Sequence, residues 1–281
     1  MNAVDIQGLS KSYGKTFVLK NISMLVPQGT IYGLIGPNGA GKTTLIKAMV
    51  GALKPNAGTI LVLGKDPLKN RYELRKEIGY MPQSTALYGD LSARQNIAFF
   101  GKAQEVLGLD KEVENILEFT ELKERADDLV RTFSGGMQKR VSLACALIHK
   151  PKILFLDEPT AAVDPHLKQR SWELFKELAA SGVTLFISTH LMDEATNCNM
   201  ITILRNGEVL AVDTPANILS LGKTKIKITR GGTSSEQIID SGSKALVTEL
   251  KKHGLNSEIE GLQIEPDDLE KIVLTIINKK G

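Results

Sequence analysis

Short apolar segments alternate with longer amphipathic segments along most of the chain. Residues 30–35, 153–156 and 183–188 are mostly or entirely apolar. Runs of this length are typical of strands that are buried on both faces of a parallel sheet. Between the second and third runs, apolar residues recur at helical spacing, and a strand, a helix and a strand in that order favour a right-handed crossover within one sheet. The pattern therefore predicts an α/β fold.

The amino-terminal part has a shorter, β-like pattern. From Val4 to Leu25, apolar residues fall into short segments that a turn at residues 12–15 interrupts. Residues 59–64 and 78–83 give further short strands, each next to a turn or a proline. We expect these segments to be strands, most of them joined by turns.

After Ser92 the periodicity changes to that of helices. Ser92 and Gln95 have the spacing of a capping box, in which both side chains satisfy free backbone groups at a helix start. Further helical stretches follow near Val113 and after residues 134–136. Since no strand pattern separates these stretches, the sequence predicts a helical subdomain at about residues 84–150.

The last part of the chain has its own pattern. Residues 225–229 alternate as an edge strand would, and residues 231–235 are rich in glycine and serine, as linkers are. Residues 246–253 and 267–277 have helical spacing, and Pro266 suits the first turn of the second helix. We expect a small α+β appendage without visible chemistry. The predicted domains are residues 1–219 and 220–281.

Composition restricts the broad class of protein. The 281 residues are 42% hydrophobic and 24% charged, as in ordinary globular domains, and a net charge of +3 is too small to indicate a nucleic-acid partner. Cys145 and Cys198 lack neighbours at metal-site spacing and fit a reducing compartment. The sequence shows no secretory signal and no apolar run of roughly 20 residues, the length that a bilayer requires. Any membrane role is therefore expected to come through another chain.

One glycine-rich segment carries the clearest chemistry. Residues 36–43 match the pattern G-x-x-x-x-G-K-[ST] between a predicted strand and a predicted helix. In that setting, the glycines let successive N–H groups point at an anion, and the helix start adds its positive end. Lys42 would meet the β- and γ-phosphates, and the Thr43 hydroxyl would hold Mg²⁺. A flexible glycine turn alone would not explain strand, motif and helix together. The predicted nucleotide-binding residues here are Gly36, Pro37, Asn38, Gly39, Ala40, Gly41, Lys42, Thr43 and Thr44.

Other polar residues stand where predicted strands end. Asp157 and Glu158 follow a continuously apolar run, at the end where open α/β sheets place ligands. His190 follows the next buried strand in the same way. Each has an ordinary interpretation too, as a helix cap, a surface acid or a strand-end histidine. Tyr13 either stacks on a base or is a plain turn residue, and Gln83 shows no function from its own segment.

In this order the segments resemble the ATP-binding cassette ATPases, the nucleotide-binding subunits of ABC transporters. The resemblance covers about residues 4–219. Residues 36–43 resemble the Walker A loop and residues 153–157 the Walker B strand, with Glu158 at the position of the catalytic glutamate. The other matching positions are Tyr13 as the adenine-stacking aromatic, Gln83 in the Q-loop, Asp164 in the D-loop and His190 as the switch histidine.

The segment Phe-Ser-Gly-Gly-Met at residues 133–137 is similar to the family signature Leu-Ser-Gly-Gly-Gln. Phe133 and Met137 depart from that pattern. Ser134, Gly135 and Gly136 keep it, and these are the residues that would meet phosphate. The departures leave the family assignment in place.

The resemblance implies a fold and a set of roles. The fold would be a P-loop NTPase core with a mixed, mainly parallel sheet, an N-terminal antiparallel β subdomain and the inserted helical subdomain. ATP and Mg²⁺ would be the cofactors, and Lys42, Glu158 and His190 the catalytic residues. In detail, Lys42 would hold the phosphates, Thr43, Gln83 and Asp157 would bind Mg²⁺, Glu158 would orient or deprotonate the attacking water, and His190 would contact the γ-phosphate.

The resemblance also implies partners. Ser134, Gly135 and Gly136 would cap the ATP held by a second cassette subunit, and an integral membrane permease would hold the pair at the cytoplasmic face of the membrane. The single cassette and the Ser-Gly-Gly-Met form are most like the ABC-2 type exporter group. The alternatives are a soluble ABC ATPase that acts on nucleic acid or ribosomes, and an ATP-dependent regulatory switch. The paired cassettes or long coiled-coil insertion typical of the first alternative are not visible in the sequence.

Overall fold

The structure, a computed structural model, describes residues 1–254 and 259–279. The chain divides into two compact units, Met1–Val212 and Asp213–Gly281, so the second unit begins before the domain boundary predicted at residue 220. Residues 255–258 and 280–281 of the predicted appendage lie outside the described residues. Within the described part, no helix is long and apolar enough to cross a membrane.

The strands up to residue 213 form two sheets. They are β1 (Asn2–Tyr13), β2 (Thr16–Pro27), β3 (Ile31–Ile35), β4 (Ala57–Val62), β5 (Ile78–Met81), β6 (Ile153–Asp157), β7 (Thr184–Thr189), β8 (Met200–Arg205) and β9 (Glu208–Asp213). One sheet has the order β2-β1-β4 and is antiparallel. The other has the order β5-β6-β7-β3-β8-β9, with parallel pairing from β5 to β8. The predicted mixed sheet and N-terminal antiparallel subdomain are therefore confirmed.

The topology of the larger sheet creates a polar edge. Every residue of β3, β6 and β7 is buried, as their apolar sequences predict. Because β6, β7 and β3 are parallel neighbours, their carboxyl ends lie at the same edge of the sheet. The residues that follow these ends are Gly36, Glu158 and His190. Sheet order therefore brings together residues that are far apart in the sequence, at the edge where such sheets bind ligands.

The helices of the first unit flank this sheet or form an insertion. They are α1 (Lys42–Met49), α2 (Arg71–Arg75), α3 (Ala93–Ala103), α4 (Leu109–Phe119), α5 (Gly135–Leu147) and α6 (Pro165–Ala180), with 3₁₀ turns at Lys123–Arg125, Val130–Thr132 and Met192–Asn197. Helices α3, α4 and α5 share a hydrophobic cluster that includes Ile97, Val113 and Val141. This is the predicted helical subdomain. At its first helix, Ser92 and Gln95 exchange both capping hydrogen bonds, so the predicted capping box is confirmed.

The second unit is α+β, but its strands differ from the prediction. Its elements are α7 (Pro215–Ser220), β10 (Lys223–Arg230), β11 (Thr233–Asp240), α8 (Ser243–His253), β12 (Gly261–Pro266) and α9 (Leu269–Lys279). The predicted edge strand at residues 225–229 is part of β10, which is the central strand in the order β11-β10-β12. The predicted linker at residues 231–235 forms a tight turn and the start of β11. Pro266 ends β12 and does not lie in a helical turn.

These errors have physical reasons. Alternation shows that one face of β10 is buried, but whether a strand is central depends on partners elsewhere in the chain. Gly231 and Gly232 both have positive φ angles, as the two central residues of a type I′ hairpin turn require. Strand β11 is almost entirely exposed, so it lacks the apolar signal from which a strand is predicted.

Candidate functional site

The glycine-rich segment forms a loop between β3 and α1. A Cβ atom on Gly36 would lie 2.2 Å from the carbonyl oxygen of Leu204, so this position requires glycine. Gly41, directly before α1, has a φ angle of +107°. Residues 37–39 are exposed. The first N–H groups of α1 have no partner within the helix, so the loop and the helix start together suit an anion.

Lys42, the first residue of α1, has a buried ammonium group. Its side chain is 6% exposed. Its Nζ donates to the carbonyl oxygens of Gly36 at 2.7 Å and Pro37 at 3.2 Å, so the loop wraps around its own lysine. The same Nζ lies 3.1 Å from Oε1 of Glu158. The end of β6 therefore supplies the counter-charge for this lysine.

Glu158 bridges two predicted site residues. Its side chain is 3% exposed, and its Oε2 lies 2.6 Å from Nδ1 of His190, while its Oε1 faces Lys42. His190 is partly exposed. Glu158 has a φ angle of +52°, in the left-handed region that residues other than glycine rarely adopt. The structure thus brings Lys42, Glu158 and His190 into one chain of contacts through a strained backbone position.

Asp157 is fully buried beside this chain of contacts. Its Oδ1 accepts a hydrogen bond from the Ser188 hydroxyl at 2.5 Å, whereas its Oδ2 is buried without a partner. Burial, together with the nearby Asp157 carboxylate, raises the pKa of Tyr80 to about 12. A buried carboxylate oxygen with no partner fits a cation ligand. In the described part of the chain, the structure shows no cluster of three or more His, Cys, Asp or Glu side chains that could hold a metal ion.

A cavity of about 410 Å³ lies over the loop. Of the predicted residues, Asn38, Gly39, Gly41, Lys42, Thr43, Thr44, Gln83 and Glu158 line it, together with Val18. Larger cavities of about 560 and 780 Å³ lie elsewhere in the first unit. We regard the smaller one as the site because the buried lysine, the carboxylate and the loop converge there.

Tyr13 is outside this cavity lining. It is 52% exposed beside the β1–β2 turn, and Nζ of Lys11 lies 5.2 Å from its ring centroid. The base-stacking role of Tyr13 therefore remains a prediction.

The signature segment lies apart from the cavity. Ser134 is the N-cap of α5 and accepts a hydrogen bond from the N–H of Met137 at 3.3 Å. Ser134 and Gly135 are exposed, and neither they nor Gly136 line the cavity over Lys42. The structure therefore does not bring the predicted cap and the predicted phosphate loop of one chain together.

One arginine contacts both residues that depart from the family signature. The Arg125 guanidinium carbon lies 4.7 Å from the Phe133 ring centroid, and its Nη1 lies 3.2 Å from Sδ of Met137. Its Nε donates to Asp128 at 2.7 Å. Arg125 thus makes a cation–π contact with Phe133 and a contact with the sulfur of Met137.

Some residues of the site had no signal in the sequence. Ser188 holds Asp157, and Lys139 donates to backbone carbonyl oxygens of the segment after β6. Burial lowers the pKa of Lys139, against the opposing effect of nearby carboxylates. Asp164, which the resemblance places in the D-loop, has a further role that the motif did not predict, because it caps α6 by accepting from the N–H of Leu167 at 3.0 Å. Only its place before Pro165, at a helix start, would have indicated that cap.

Comparison with known proteins agrees with this geometry. Residues 19–161 match the family model described as ABC transporter. The chain is 35% identical over 276 residues to the linearmycin resistance ATP-binding protein LnrL of Bacillus subtilis, covering 96% of this chain and 88% of that protein. It is 39% identical over 217 residues to the Nod factor export ATP-binding protein I of Sinorhizobium fredii, covering 76% of this chain and 63% of that protein.

A solved structure extends the likeness to the fold. A dimeric, post-hydrolysis structure of the ATP-binding cassette MJ0796, bound to ADP and Pi, superposes with a TM-score of 0.66 at 27% identity. The match covers 75% of this chain and 98% of that one. The family model, the relatives and the fold all indicate the same family. The chain belongs to the ABC transporter family, as an ATP-binding subunit that hydrolyses ATP to drive transport.

Proposed function

We propose that this chain powers an exporter from the cytoplasmic face of the membrane, with Glu158 as the residue that activates water. The observation that carries the hydrolytic assignment is the Glu158 carboxylate, held between Lys42 and His190 beside the phosphate loop. Support for export comes from the relatives, one of which is described as a Nod factor export protein. No nucleic-acid partner is proposed, in keeping with a net charge of +3.

The phosphate loop would bind the nucleotide. The backbone N–H groups of residues 36–44 and the start of α1 would surround the phosphates, and Lys42 would contact the β- and γ-phosphates. In the structure Lys42 faces Glu158. If the Lys42 ammonium paired with a phosphate of the nucleotide, Oε1 of Glu158 would no longer be paired with it and could accept a hydrogen bond from water. Nucleotide binding would therefore prepare the base.

Three residues would hold Mg²⁺. These are Thr43 and Gln83, which line the cavity, and Asp157, whose Oδ2 is buried without a partner. When bound, the ion would supply charge neutralisation on the phosphates. Ser188 keeps the other oxygen of Asp157 occupied and so aims Oδ2.

Hydrolysis would depend on placement of charge and water more than on covalent chemistry. Glu158 would orient or deprotonate the attacking water. His190 would fix Glu158 through its Nδ1 contact of 2.6 Å and turn its other ring nitrogen to the γ-phosphate. Loss of the γ-phosphate would remove that contact.

A second copy would complete the site. Ser134 and Gly135 would cap a nucleotide held by another cassette, which is supported by their exposure at the start of α5 and by their position outside their own chain's cavity lining. The dimeric structure of the cassette MJ0796 supports this arrangement. Tyr13 would stack on the adenine of the nucleotide in its own chain.

An integral membrane permease would be the remaining partner. A mostly apolar cavity of about 560 Å³ lies between the core and the helical subdomain, lined by Leu87 and Phe100 on one side and by Leu74 on the other. We propose that the permease docks there, near Gln83, and that membrane association comes through it. A movement of the helical subdomain would then move the part of the permease that is bound to it.

Phosphate release from MgATP by the purified chain tests the hydrolytic role. Glu158→Gln is expected to lower kcat by about 10²- to 10⁴-fold, because it removes the base while leaving the phosphate loop intact. Binding of a fluorescent ATP analogue should remain. Glu177→Gln, an exposed glutamate of α6, is the matched control and should leave kcat unchanged.

Wild-type turnover in Glu158→Gln would contradict the assignment. Absence of steady phosphate release by the wild type, alone and with its co-purified membrane partners, would instead favour a regulatory ATP switch. Co-purification with ribosomes or nucleic acid in place of a membrane protein would favour a non-transport ATPase.

A further inference from the structure

A half-buried lysine from the helical subdomain contacts the segment that carries Glu158. Lys139 lies in α5 and is half-buried. Its Nζ donates to the carbonyl oxygen of Glu158 at 2.6 Å and to that of Ala161 at 2.6 Å. Both acceptors are backbone atoms, and among the described residues the structure shows no carboxylate within 4.0 Å of this ammonium. These two hydrogen bonds therefore depend on the backbone conformation of the segment.

That segment has a conformation that needs external support. Glu158 and Ala162 have φ angles of +52° and +58°, which cost energy in residues other than glycine and persist only where surrounding contacts hold them. Within the segment, the N–H of Ala161 donates weakly to Glu158 at 3.4 Å. The two bonds from Lys139 are much shorter and stronger.

The backbone of Glu158 is fixed on both sides. Its N–H donates to the carbonyl oxygen and the hydroxyl of Ser188, each at 3.1 Å, and its carbonyl oxygen accepts from Lys139. One contact comes from β7 and the other from α5. With both neighbouring peptide groups held, the direction of the side chain from Cα is set. That direction brings the carboxylate to Lys42 and His190.

We propose that Lys139 is a positioning residue for Glu158. Its ammonium holds the left-handed turn after β6, and so keeps the carboxylate aimed at the cavity over Lys42. This inference rests on the proposed role of Glu158 in hydrolysis. The proposal thus adds Lys139, a residue of α5, to the residues that shape the hydrolytic site of the same chain.

The packing of α5 does not require this lysine. The helix joins the helical subdomain through its apolar residues, among them Val141, Ala144 and Cys145. Replacement of Lys139 by methionine keeps an unbranched chain of similar length in the half-buried space and removes the donors. The expected effect is therefore on the turn after β6, with little effect on the fold of the subdomain.

Kinetics of the full chain with MgATP test the proposal. Lys139→Met is expected to lower kcat by about 10- to 100-fold with KM and ATP affinity unchanged, since a displaced base slows chemistry without altering the phosphate loop. Lys139→Arg, which keeps a cation with several donors, should retain more of kcat. Lys65→Met is the matched control, because it removes a partly buried ammonium that pairs with Glu73 and Glu77 and, among the described residues, forms no ion pair with the segment 158–163.

A double-mutant cycle separates positioning from general destabilisation. In the Glu158→Gln background, Lys139→Met should lower single-turnover hydrolysis no further, because the group that it aims is absent. Hydrogen exchange without nucleotide should increase in the segment 158–163 of Lys139→Met alone. Unchanged ATP affinity shows that the variant is folded.

A wild-type kcat in Lys139→Met would overturn the proposal. So would an equal loss of kcat in Lys139→Met and Lys139→Arg. The proposal would also be overturned if Lys139→Met lowered the hydrolysis rate by the same factor in the wild-type and Glu158→Gln backgrounds. If Glu158→Gln itself keeps wild-type kcat, the proposed function fails first. The two failures are therefore distinguishable.

Discussion

Among single residues, Glu158 has the most demanding position in the site. Its carboxylate faces a cation on one oxygen and an imidazole on the other, and its backbone is left-handed. Sequence motifs predicted the residue types at Lys42, Glu158 and His190. They did not predict the ion pair between Lys42 and Glu158, because that contact depends on the order of strands in the sheet.

Residues that act through backbone atoms escaped prediction. Lys139 and Ser188 bond to carbonyl, amide or carboxyl groups that are distant in sequence, and neither stands in a motif. For Tyr13, the sequence predicted base stacking. The structure places this residue outside the cavity lining, with Lys11 over its ring, and its role stays a prediction.

The burial of His149 should make the free energy of unfolding depend on pH. Burial lowers its pKa from 6.5, against the opposing effect of its hydrogen bond with the carbonyl oxygen of Ile78 at 2.9 Å. As pH falls through 6.5, the unfolded chain takes up a proton at His149 while the folded chain does so only at lower pH. The free energy of unfolding should therefore fall with pH below 6.5, and His149→Gln, which keeps a donor for Ile78, should reduce that fall.

Urea unfolding of both proteins at pH 7.5 and 5.5 measures this effect. The loss of unfolding free energy between the two pH values should be smaller in His149→Gln than in the wild type. Equal losses would show that His149 does not contribute to the pH dependence.

At the scale of elements, prediction succeeded where a segment's own sequence decides its structure. The apolar runs gave β3, β6 and β7, and the capping-box spacing gave the start of α3. It missed β11 and β12 and took the central strand β10 for an edge strand, because the pairing of these strands is decided by partners elsewhere in the chain. Strand β11 is exposed along nearly its whole length, so its residues carry no apolar alternation.

A comparison of two N-cap serines in the helical subdomain distinguishes a purely structural role from a role in ATP hydrolysis. Ser92 caps α3 and Ser134 caps α5. Ser92→Ala and Ser134→Ala should each lower the free energy of unfolding by about 1 kcal/mol, because each leaves a helix N–H without its partner. Ser134→Ala should in addition lower ATP turnover by about tenfold or more, since its hydroxyl would also meet phosphate.

Urea unfolding and phosphate release on both variants check this pair. Ser92→Ala is the control and should keep wild-type turnover. Equal turnover in the two variants would mean that Ser134 is only a helix cap, and the capping of a partner's nucleotide would have to be given up.

At the scale of the whole molecule, the site is divided between two places. The cavity over Lys42 is at the edge of the six-stranded sheet, and the exposed Ser134 and Gly135 begin a helix of the helical subdomain. Since neither reaches the other within one chain, we expect two chains to close on shared ATP. The sequence predicted both halves and assigned the signature to the helical subdomain, and in the structure this segment lies outside the cavity lining.

The most direct test is the mass of Glu158→Gln in solution, measured by size-exclusion chromatography with light scattering. Because this variant should bind ATP without consuming it, ATP in the interface should hold two copies together. We predict a mass near the 30.6 kDa of one chain without nucleotide and near twice that value with saturating ATP. A mass that stays at 30.6 kDa while ATP is demonstrably bound would contradict the account.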